Sequence, residues 1–226
     1  MLNFNKTKFI TSAPDITKLP YEGGIEIAFV GRSNAGKSSA LNKLANIKRL
    51  AKTSKTPGRT QLINLFEVEE NKRIVDLPGY GYADVPKEVK LKWQKSLTEY
   101  LQKRQSLKVV VVLMDIRHPL KDVDRQIISW ATVSNLNVVI LLTKSDKLKL
   151  NAKKQAISSV KKDLIEFGCQ YDLIPFSSLS GEGVEELKIV LSKYFEELQD
   201  GSNSIDEFEE KELEFDEEAW NKHEGI

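Results

Sequence analysis

Residues 31–38 read Gly-Arg-Ser-Asn-Ala-Gly-Lys-Ser and fit the pattern G-x-x-x-x-G-K-[ST] at every fixed position. The apolar run 25–30 before this pattern predicts a buried strand, and the residues from 37 to 45 predict a helix. A strand that feeds a glycine-rich loop into a helix aims several backbone N–H groups and the positive helix end at one point. The pattern therefore predicts a strand–loop–helix unit that binds a polyphosphate. A glycine-rich turn without a ligand is the alternative.

Each fixed position of this loop has a physical role. Two glycines, Gly31 and Gly36, let the backbone curl without Cβ clashes. The Lys37 ammonium is placed to reach the β- and γ-phosphates, and the Ser38 hydroxyl is placed to ligate Mg²⁺. We expect the whole loop to contact a nucleotide, through Gly31, Arg32, Ser33, Asn34, Ala35, Gly36, Lys37 and Ser38.

A second short motif, Asp76-Leu77-Pro78-Gly79, follows the apolar run 73–75. An Asp at a strand end can hold Mg²⁺ through water, and a glycine three residues later can offer its N–H to a γ-phosphate. We therefore place Asp76, Leu77, Pro78 and Gly79 at the nucleotide. The pattern has only two fixed residues, so a simple turn is the alternative.

Two further motifs indicate which base is bound. The run 138–142 leads into Thr143, Lys144, Ser145 and Asp146. The Asp146 carboxylate can accept paired hydrogen bonds from N1–H and the 2-amino group of guanine, whereas adenine offers no such pair. Lys144 can lay its aliphatic stem over the base. After the predicted strand 170–176, a backbone N–H can cover the guanine O6, within Ser177, Ser178 and Leu179.

These four motifs follow one another in the order of a Ras-like GTPase, each at the end of a predicted strand. Three more segments narrow the resemblance: Thr-Pro-Gly-Arg-Thr-Gln at 56–61, Asp-Leu-Pro-Gly-Tyr-Gly-Tyr-Ala at 76–83, and Asp-Ile-Arg-His-Pro at 115–119. With them the chain resembles the EngB (YihA/YsxC) family of bacterial GTPases over roughly residues 5–198.

The resemblance implies GTP hydrolysis with Mg²⁺ as cofactor. Its direct ligands would be Ser38 and Thr60, and Asp76 would act through water. Thr60, rather than Thr53 or Thr56, matches the threonine of the family motif. Lys37, Thr60 and Gly79 would carry catalysis. The same motif adds further residues to the nucleotide site, namely Gly58, Arg59, Thr60, Gln61 and Leu62.

The resemblance also implies a role in assembly of the large ribosomal subunit, with an effect on cell division and septation. A signalling or septum-associated switch that acts through a protein effector is the rival interpretation. In either case Tyr80 occupies the position at which Ras-like proteins carry the glutamine that orients water. A tyrosine is poorly suited to that task, so we expect slow intrinsic hydrolysis.

Asn34 leaves two readings open. Some assembly GTPases without the catalytic glutamine use an asparagine here to ligate K⁺, which would make K⁺ a second cofactor. The alternative is that Asn34 only tolerates an unusual backbone angle in a tight loop.

Beyond these motifs, predicted strands at 25–30, 62–68, 72–76, 107–114, 137–142 and 170–176 alternate with predicted helices at 37–45, 87–104, 120–134, 149–167 and 183–199. This alternation is typical of a doubly wound α/β fold, a mostly parallel sheet with helices on both faces. The hairpin 62–76 makes its first strand the one antiparallel member. We divide the chain into an N-terminal arm (1–22), a GTPase domain (23–199) and an acidic tail (200–226).

Charge is divided unevenly along the chain. Residues 200–226 contain 11 Asp and Glu against two Lys, which leaves 22 acidic and 32 basic residues in 1–199. The body thus carries +10 and the tail −9, an asymmetry that favours a polyanionic partner such as rRNA for the body. We read the tail as a solubilising disordered extension, with an acidic helix that folds back or binds a partner as the alternative.

Cys169 is the single cysteine, and the longest apolar run is too short to span a bilayer. We expect a cytoplasmic monomer that binds GTP and GDP, contacts rRNA and ribosomal proteins, and does not bind a membrane.

Overall fold

The computed structural model describes residues 1–20, 23–51, 62–80, 87–168 and 170–198. Four residues predicted to contact the nucleotide, Gly58, Arg59, Thr60 and Gln61, lie outside these ranges, as do Cys169 and the acidic tail.

The described residues form seven strands and five α-helices. The strands are β1 (Lys8–Ala13), β2 (Ile25–Gly31), β3 (Ile63–Glu69), β4 (Lys72–Asp76), β5 (Leu107–Asp115), β6 (Asn137–Thr143) and β7 (Tyr171–Pro175). The α-helices are α1 (Lys37–Leu44), α2 (Lys87–Lys103), α3 (Asp122–Val133), α4 (Leu150–Leu164) and α5 (Val184–Glu197).

All seven strands belong to one sheet, in the order β1-β3-β4-β2-β5-β6-β7. Strand β3 runs antiparallel to both of its neighbours, β1 and β4. The pairs β2–β4, β2–β5, β5–β6 and β6–β7 are parallel. This confirms the predicted fold class, a mostly parallel sheet with a single antiparallel strand.

The central strands are buried on both faces. Every residue of β2 is buried, and Val109, Val110, Val111, Val112 and Leu113 of β5 are fully inaccessible. One face of the sheet packs against α2, α3 and α4, and the other packs against α1 and α5. Covering both faces is what a parallel sheet of this kind requires. The loops that follow the parallel strands β4, β2, β5, β6 and β7 lie along one edge of the sheet.

Strand β1 is the main element that the sequence analysis did not predict. It lies within the segment assigned as an arm and pairs with β3, for example Ala13 with Ile63 and Ser12 with Asn64. Its outward residues are exposed, including Phe9 at 55%. The strand lacks a regular apolar alternation because it lies at the sheet edge, where only one side is paired.

Helix boundaries differ from the predicted ones by a few residues. Helix α3 begins at Asp122 rather than 120, because Leu120 has a φ of +53° that no helix accommodates. Helix α4 ends at Leu164 and continues as a 3₁₀ turn over Ile165–Phe167, which closes at Gly168 with a φ of +60°.

Candidate functional site

The phosphate loop occupies the turn between β2 and α1. A Cβ at Gly31 would lie 2.7 Å from the Leu113 carbonyl oxygen, so only glycine lets this strand end lie so close to β5. Gly36 has a φ of +91° and precedes the first residue of α1. These two positions explain the fixed glycines of the motif, and the loop directs the N-terminus of α1 toward the carboxyl edge of the sheet.

Asn34 lies in the same loop with a φ of +63°, in the left-handed region where Asn is enriched. The structure thus supplies a conformational reason for asparagine at this position. The K⁺ hypothesis stays a prediction.

Lys37 and Asp76 contact each other directly. The Lys37 ammonium donates to Asp76 Oδ1, and both side chains are almost fully buried. Asn64 Nδ2 lies 3.4 Å from the second carboxylate oxygen of Asp76. The predicted phosphate-binding lysine and the predicted Mg²⁺-side aspartate are therefore brought together, and in this structure they neutralise each other. Leu62, another residue predicted to contact the nucleotide, lies just before β3 and is 38% exposed.

The segment that follows Asp76 runs along the phosphate loop. Leu77 donates its N–H to the Phe29 carbonyl at 3.1 Å, and Ser33 donates its N–H to the Tyr80 carbonyl at 2.6 Å. A Cβ on Gly79 would lie 3.4 Å from the Gly31 carbonyl oxygen. The two predicted phosphate motifs thus lie side by side at the end of adjacent strands.

Thr143 joins the phosphate loop to the base-recognition motif. Its buried hydroxyl lies 2.6 Å from the Ala35 carbonyl oxygen and 3.1 Å from that of Met114. Because the hydroxyl has one proton to share between these acceptors, it ties β6 to both the loop and β5.

Lys144 is held beside the predicted base position by an acidic partner. It has a φ of +57°, and its ammonium lies 3.0 Å from Asp115 Oδ2. Arg117 binds the same carboxylate through two nitrogens, at 2.9 and 2.7 Å. The Arg117 guanidinium, aided by Lys144, holds the pKa of Asp115 well below its usual range.

Asp146 is fixed by the loop that follows β7. The Ser177 hydroxyl donates to Asp146 Oδ1 at 2.7 Å, and its oxygen lies 3.2 and 3.1 Å from the N–H groups of Leu179 and Ser180. The Ser177 hydrogen bond lowers the pKa of Asp146, so the carboxylate remains an acceptor. Ser177 is fully buried, whereas Ser178 and Leu179 are exposed.

Ser145 is buried and contacts Glu182. Its hydroxyl donates to Glu182 at 2.6 Å, and Lys153 binds both oxygens of Glu182 at 2.7 Å. Lys153 lowers the pKa of Glu182. The three groups connect the loops after β6 and β7 to α4, and these contacts stabilise the position of the predicted base-recognition motif.

The comparisons with known proteins agree with this geometry. Residues 26–144 match the family model described as 50S ribosome-binding GTPase. A probable GTP-binding protein EngB from Tolumonas auensis is 59% identical over 209 residues, which cover 92% of this chain and 98% of that protein. The corresponding protein from Aliivibrio fischeri is 63% identical over 194 residues, with coverage of 86% and 90%.

The chain belongs to the EngB family of GTP-binding proteins. It therefore binds guanine nucleotides and hydrolyses GTP. A crystal structure of a probable GTP-binding protein engB has a TM-score of 0.62 at 23% identity, covering 76% of this chain and 99% of that one. The crystal structure of Era from Aquifex aeolicus, at 23% identity, has a TM-score of 0.58. The match covers 76% of this chain and 57% of the Era chain. These two likenesses support the fold alone.

Sequence reasoning about this EngB-family chain missed three acidic residues that shape the site. The sequence places Asp115 within the motif at 115–119 without indicating its contacts, and no sequence pattern indicates a role for Asp124 or Glu182. A strand-end Asp followed two residues later by Arg was the available signal for Asp115. Nothing in the local sequence indicates the contact of Asp124 with Tyr80 or those of Glu182 with Ser145 and Lys153, because these partners are distant in sequence.

Among the described residues, no helix is both long and apolar enough to cross a membrane.

Proposed function

We propose that this GTPase hydrolyses GTP slowly and acts as a switch in assembly of the large ribosomal subunit, and that normal cell division and septation depend on it. The observation that carries the proposal is the match of residues 26–144 to a family described as 50S ribosome-binding GTPase. The +10 charge of residues 1–199 supports rRNA as the partner, because phosphate contacts dominate the affinity of nucleic-acid-binding proteins. In this proposal the protein acts in the cytoplasm as a monomer.

We assign the phosphates to the loop at 31–38 and to Gly79, and the base to the loops that contain Asp146 and Ser177. Lys37 would exchange Asp76 for the β- and γ-phosphates when a nucleotide binds. Lys144, positioned by Asp115, would cover the base. The predicted contacts of Gly58, Arg59, Thr60 and Gln61 belong to the same proposal.

The residues at the phosphate end suit Mg²⁺. Ser38 is half-buried at the start of α1, and the buried Asp76 carboxylate already has a cation, the Lys37 ammonium, against it. Hydroxyl and carboxylate oxygens are the hard ligands that Mg²⁺ prefers. Ser38 and Thr60 would bind Mg²⁺ directly and Asp76 through water, and bound Mg²⁺ would neutralise charge on the phosphates during transfer to water.

Slow hydrolysis follows from the environment of Tyr80. Its side chain is 6% exposed, and its hydroxyl donates to the buried Asp124 carboxylate on α3. A side chain engaged in this way cannot orient a water molecule for attack on the γ-phosphate. We therefore expect hydrolysis to be slow in isolation and to accelerate when large ribosomal subunits are present.

The rRNA contact is assigned to the loop after α1. Lys48 and Arg49 are exposed at its described beginning. Loss of the γ-phosphate would release this loop, which contains the predicted Mg²⁺ ligand Thr60, so one nucleotide would set both loop order and RNA affinity.

The test is sedimentation of the purified protein with large ribosomal subunits, in a non-hydrolysable GTP analogue and in GDP, over a range of salt concentrations. We expect co-sedimentation to be stronger with the analogue and to weaken steeply with salt. The double charge reversal Lys48→Glu and Arg49→Glu should abolish it. The matched reversal Lys161→Glu and Lys162→Glu, at two exposed lysines of α4, should not. If the protein does not co-sediment with large subunits in either nucleotide state, the proposal is overturned. Salt-insensitive binding to a protein would favour the effector interpretation.

A further inference from the structure

Tyr80 is the last described residue before the 81–86 segment, and it is bonded to the phosphate loop through its backbone. Its carbonyl accepts the Ser33 N–H at 2.6 Å, and its own N–H donates to the Gly31 carbonyl at 3.4 Å. Residues 32 and 80 form a parallel β-bridge. The backbone of residue 80 therefore extends the pairing of adjacent strands beyond the sheet edge.

The Tyr80 side chain adds a connection to a different element. Its hydroxyl donates to Asp124 Oδ1, while Oδ2 of the same carboxylate accepts the Lys121 N–H at 2.9 Å. Asp124 is 1% exposed and lies in the first turn of α3. Each oxygen of this buried acid thus has a protein donor, and loss of either one leaves a costly unpaired acceptor.

These contacts engage groups that a nucleotide requires. The Lys37 ammonium is bound to Asp76, and the Ser33 amide is bound to Tyr80, so both ends of the 76–80 segment hold donors of the phosphate loop. A lysine in this loop position reaches the β- and γ-phosphates of a bound nucleoside triphosphate. The segment after the strand-end Asp is the one that γ-phosphate contacts reorganise in GTPases. The arrangement seen here consequently competes with the triphosphate more than with the diphosphate.

We propose that Tyr80 is a positioning residue of the GTPase cycle, whose hydrogen bond to Asp124 holds residues 76–80 on the phosphate loop and so disfavours GTP relative to GDP. The hydroxyl thereby connects α3 to the segment that lies on the phosphate loop. Breaking the Tyr80–Asp124 hydrogen bond costs free energy that GTP binding must offset. A binding partner that displaces Tyr80 from Asp124 would favour the GTP-bound state.

The test is Tyr80→Phe, which keeps the ring in its packed position and removes only the hydroxyl. Affinities for GDP and for a non-hydrolysable GTP analogue are measured by titration of each fluorescent nucleotide. We expect the ratio of the two affinities to shift toward the analogue by about tenfold, the usual worth of a hydrogen bond to a charged group.

A matched control is available elsewhere in the same fold. Tyr194 on α5 donates its hydroxyl to Asp172 Oδ2 at 2.8 Å on β7, away from the phosphate loop. Tyr194→Phe removes a tyrosine–aspartate hydrogen bond of the same kind and should leave the ratio of affinities unchanged. Asp124→Ala should reproduce the shift, and adding Tyr80→Phe to it should produce no further change, because the two residues act through one bond.

An unchanged ratio in a folded Tyr80→Phe variant would overturn the proposal, and so would an equal shift in Tyr194→Phe. Asp124 also caps α3, so Asp124→Ala can fail to fold. In that case Tyr80→Phe and its control decide the question without the double variant.

Discussion

The proposed base end and the proposed phosphate end of the site differ in how their side chains are held. Those of the base end are positioned by neighbouring residues, whereas those of the phosphate end contact each other. At the base end, the Asp146 carboxylate is fixed by Ser177 and Lys144 is fixed by Asp115, and these contacts need not break when guanine binds. At the proposed phosphate end, Lys37 is bound to Asp76, so in our proposal the two would separate before they bind a phosphate and a metal ion.

The difference separates recognition of the base, which GTP and GDP share, from the response to the γ-phosphate, which only GTP has. In the proposed assignment, a preformed base site would recognise guanine in both GTP and GDP with little cost of ordering. In the proposed assignment, a phosphate site that must rearrange would convert the presence of a γ-phosphate into movement of residues 76–80, since a ligand shifts a conformation only by binding its two forms differently. A phosphate end whose side chains were already positioned would bind the nucleotide tightly but would not change conformation with the γ-phosphate.

Asp146→Asn is the change expected to have the largest effect on the base end. Replacing the acceptor by an amide places a donor against the N1–H and 2-amino group of guanine, so GTP and GDP affinities should each fall by about a hundredfold or more. Affinity for xanthosine nucleotides should rise relative to guanosine nucleotides, because xanthine has a carbonyl at C2. Titration of both nucleotide classes checks this, and equal losses for the two would remove Asp146 from base recognition.

Ser177→Ala tests whether the base end is preformed. The change removes the hydroxyl that fixes Asp146 and accepts two loop N–H groups, so GDP and GTP affinities should fall together by about tenfold. Ser159→Ala, at an exposed serine of α4, should leave both unchanged. If only the GTP affinity fell in Ser177→Ala, the two ends would not be independent and the comparison would fail.

Asp115→Asn asks how much of the base end depends on the position of Lys144. The neutral amide weakens the contacts with Lys144 and Arg117, and we expect a loss of about threefold to fivefold in affinity for both GDP and GTP, as fits a partly exposed ion pair. Asp163→Asn breaks a surface contact with Arg125 at 3.4 Å and serves as the control. Full affinity in Asp115→Asn would show that Lys144 needs no anchor.

The smallest expected effect concerns the phosphate end and K⁺. If Asn34 ligates K⁺ beside the phosphates, GTP turnover should be a few-fold faster in KCl than in NaCl at equal ionic strength, and Asn34→Ala should lose that preference. Asn34→Gly keeps the backbone conformation available at φ +63° without the carbonyl ligand, and should lose it as well. No preference for K⁺ in the wild type would leave backbone conformation as the role of Asn34.

The sequence was most informative where a residue acts through its neighbours in the chain. The spacing of Gly31, Gly36 and Lys37 predicted a strand–loop–helix turn, and the observed turn has the close approach to Leu113 and the positive φ that glycines permit. It was least informative for β1, whose pairing with β3 depends on residues fifty or more positions away.

The amino-acid sequence by itself determined the motifs at the strand ends, and hence the family, together with the order of the helices and of the strands other than β1, because these depend on local periodicity and spacing. The tertiary structure decided the partners of those motifs. It brought Asp115 to Lys144, Glu182 to Ser145 and Asp124 to Tyr80. Such pairs join groups on separate elements, and only packing of the helices on the sheet sets their distances, so no local pattern records them.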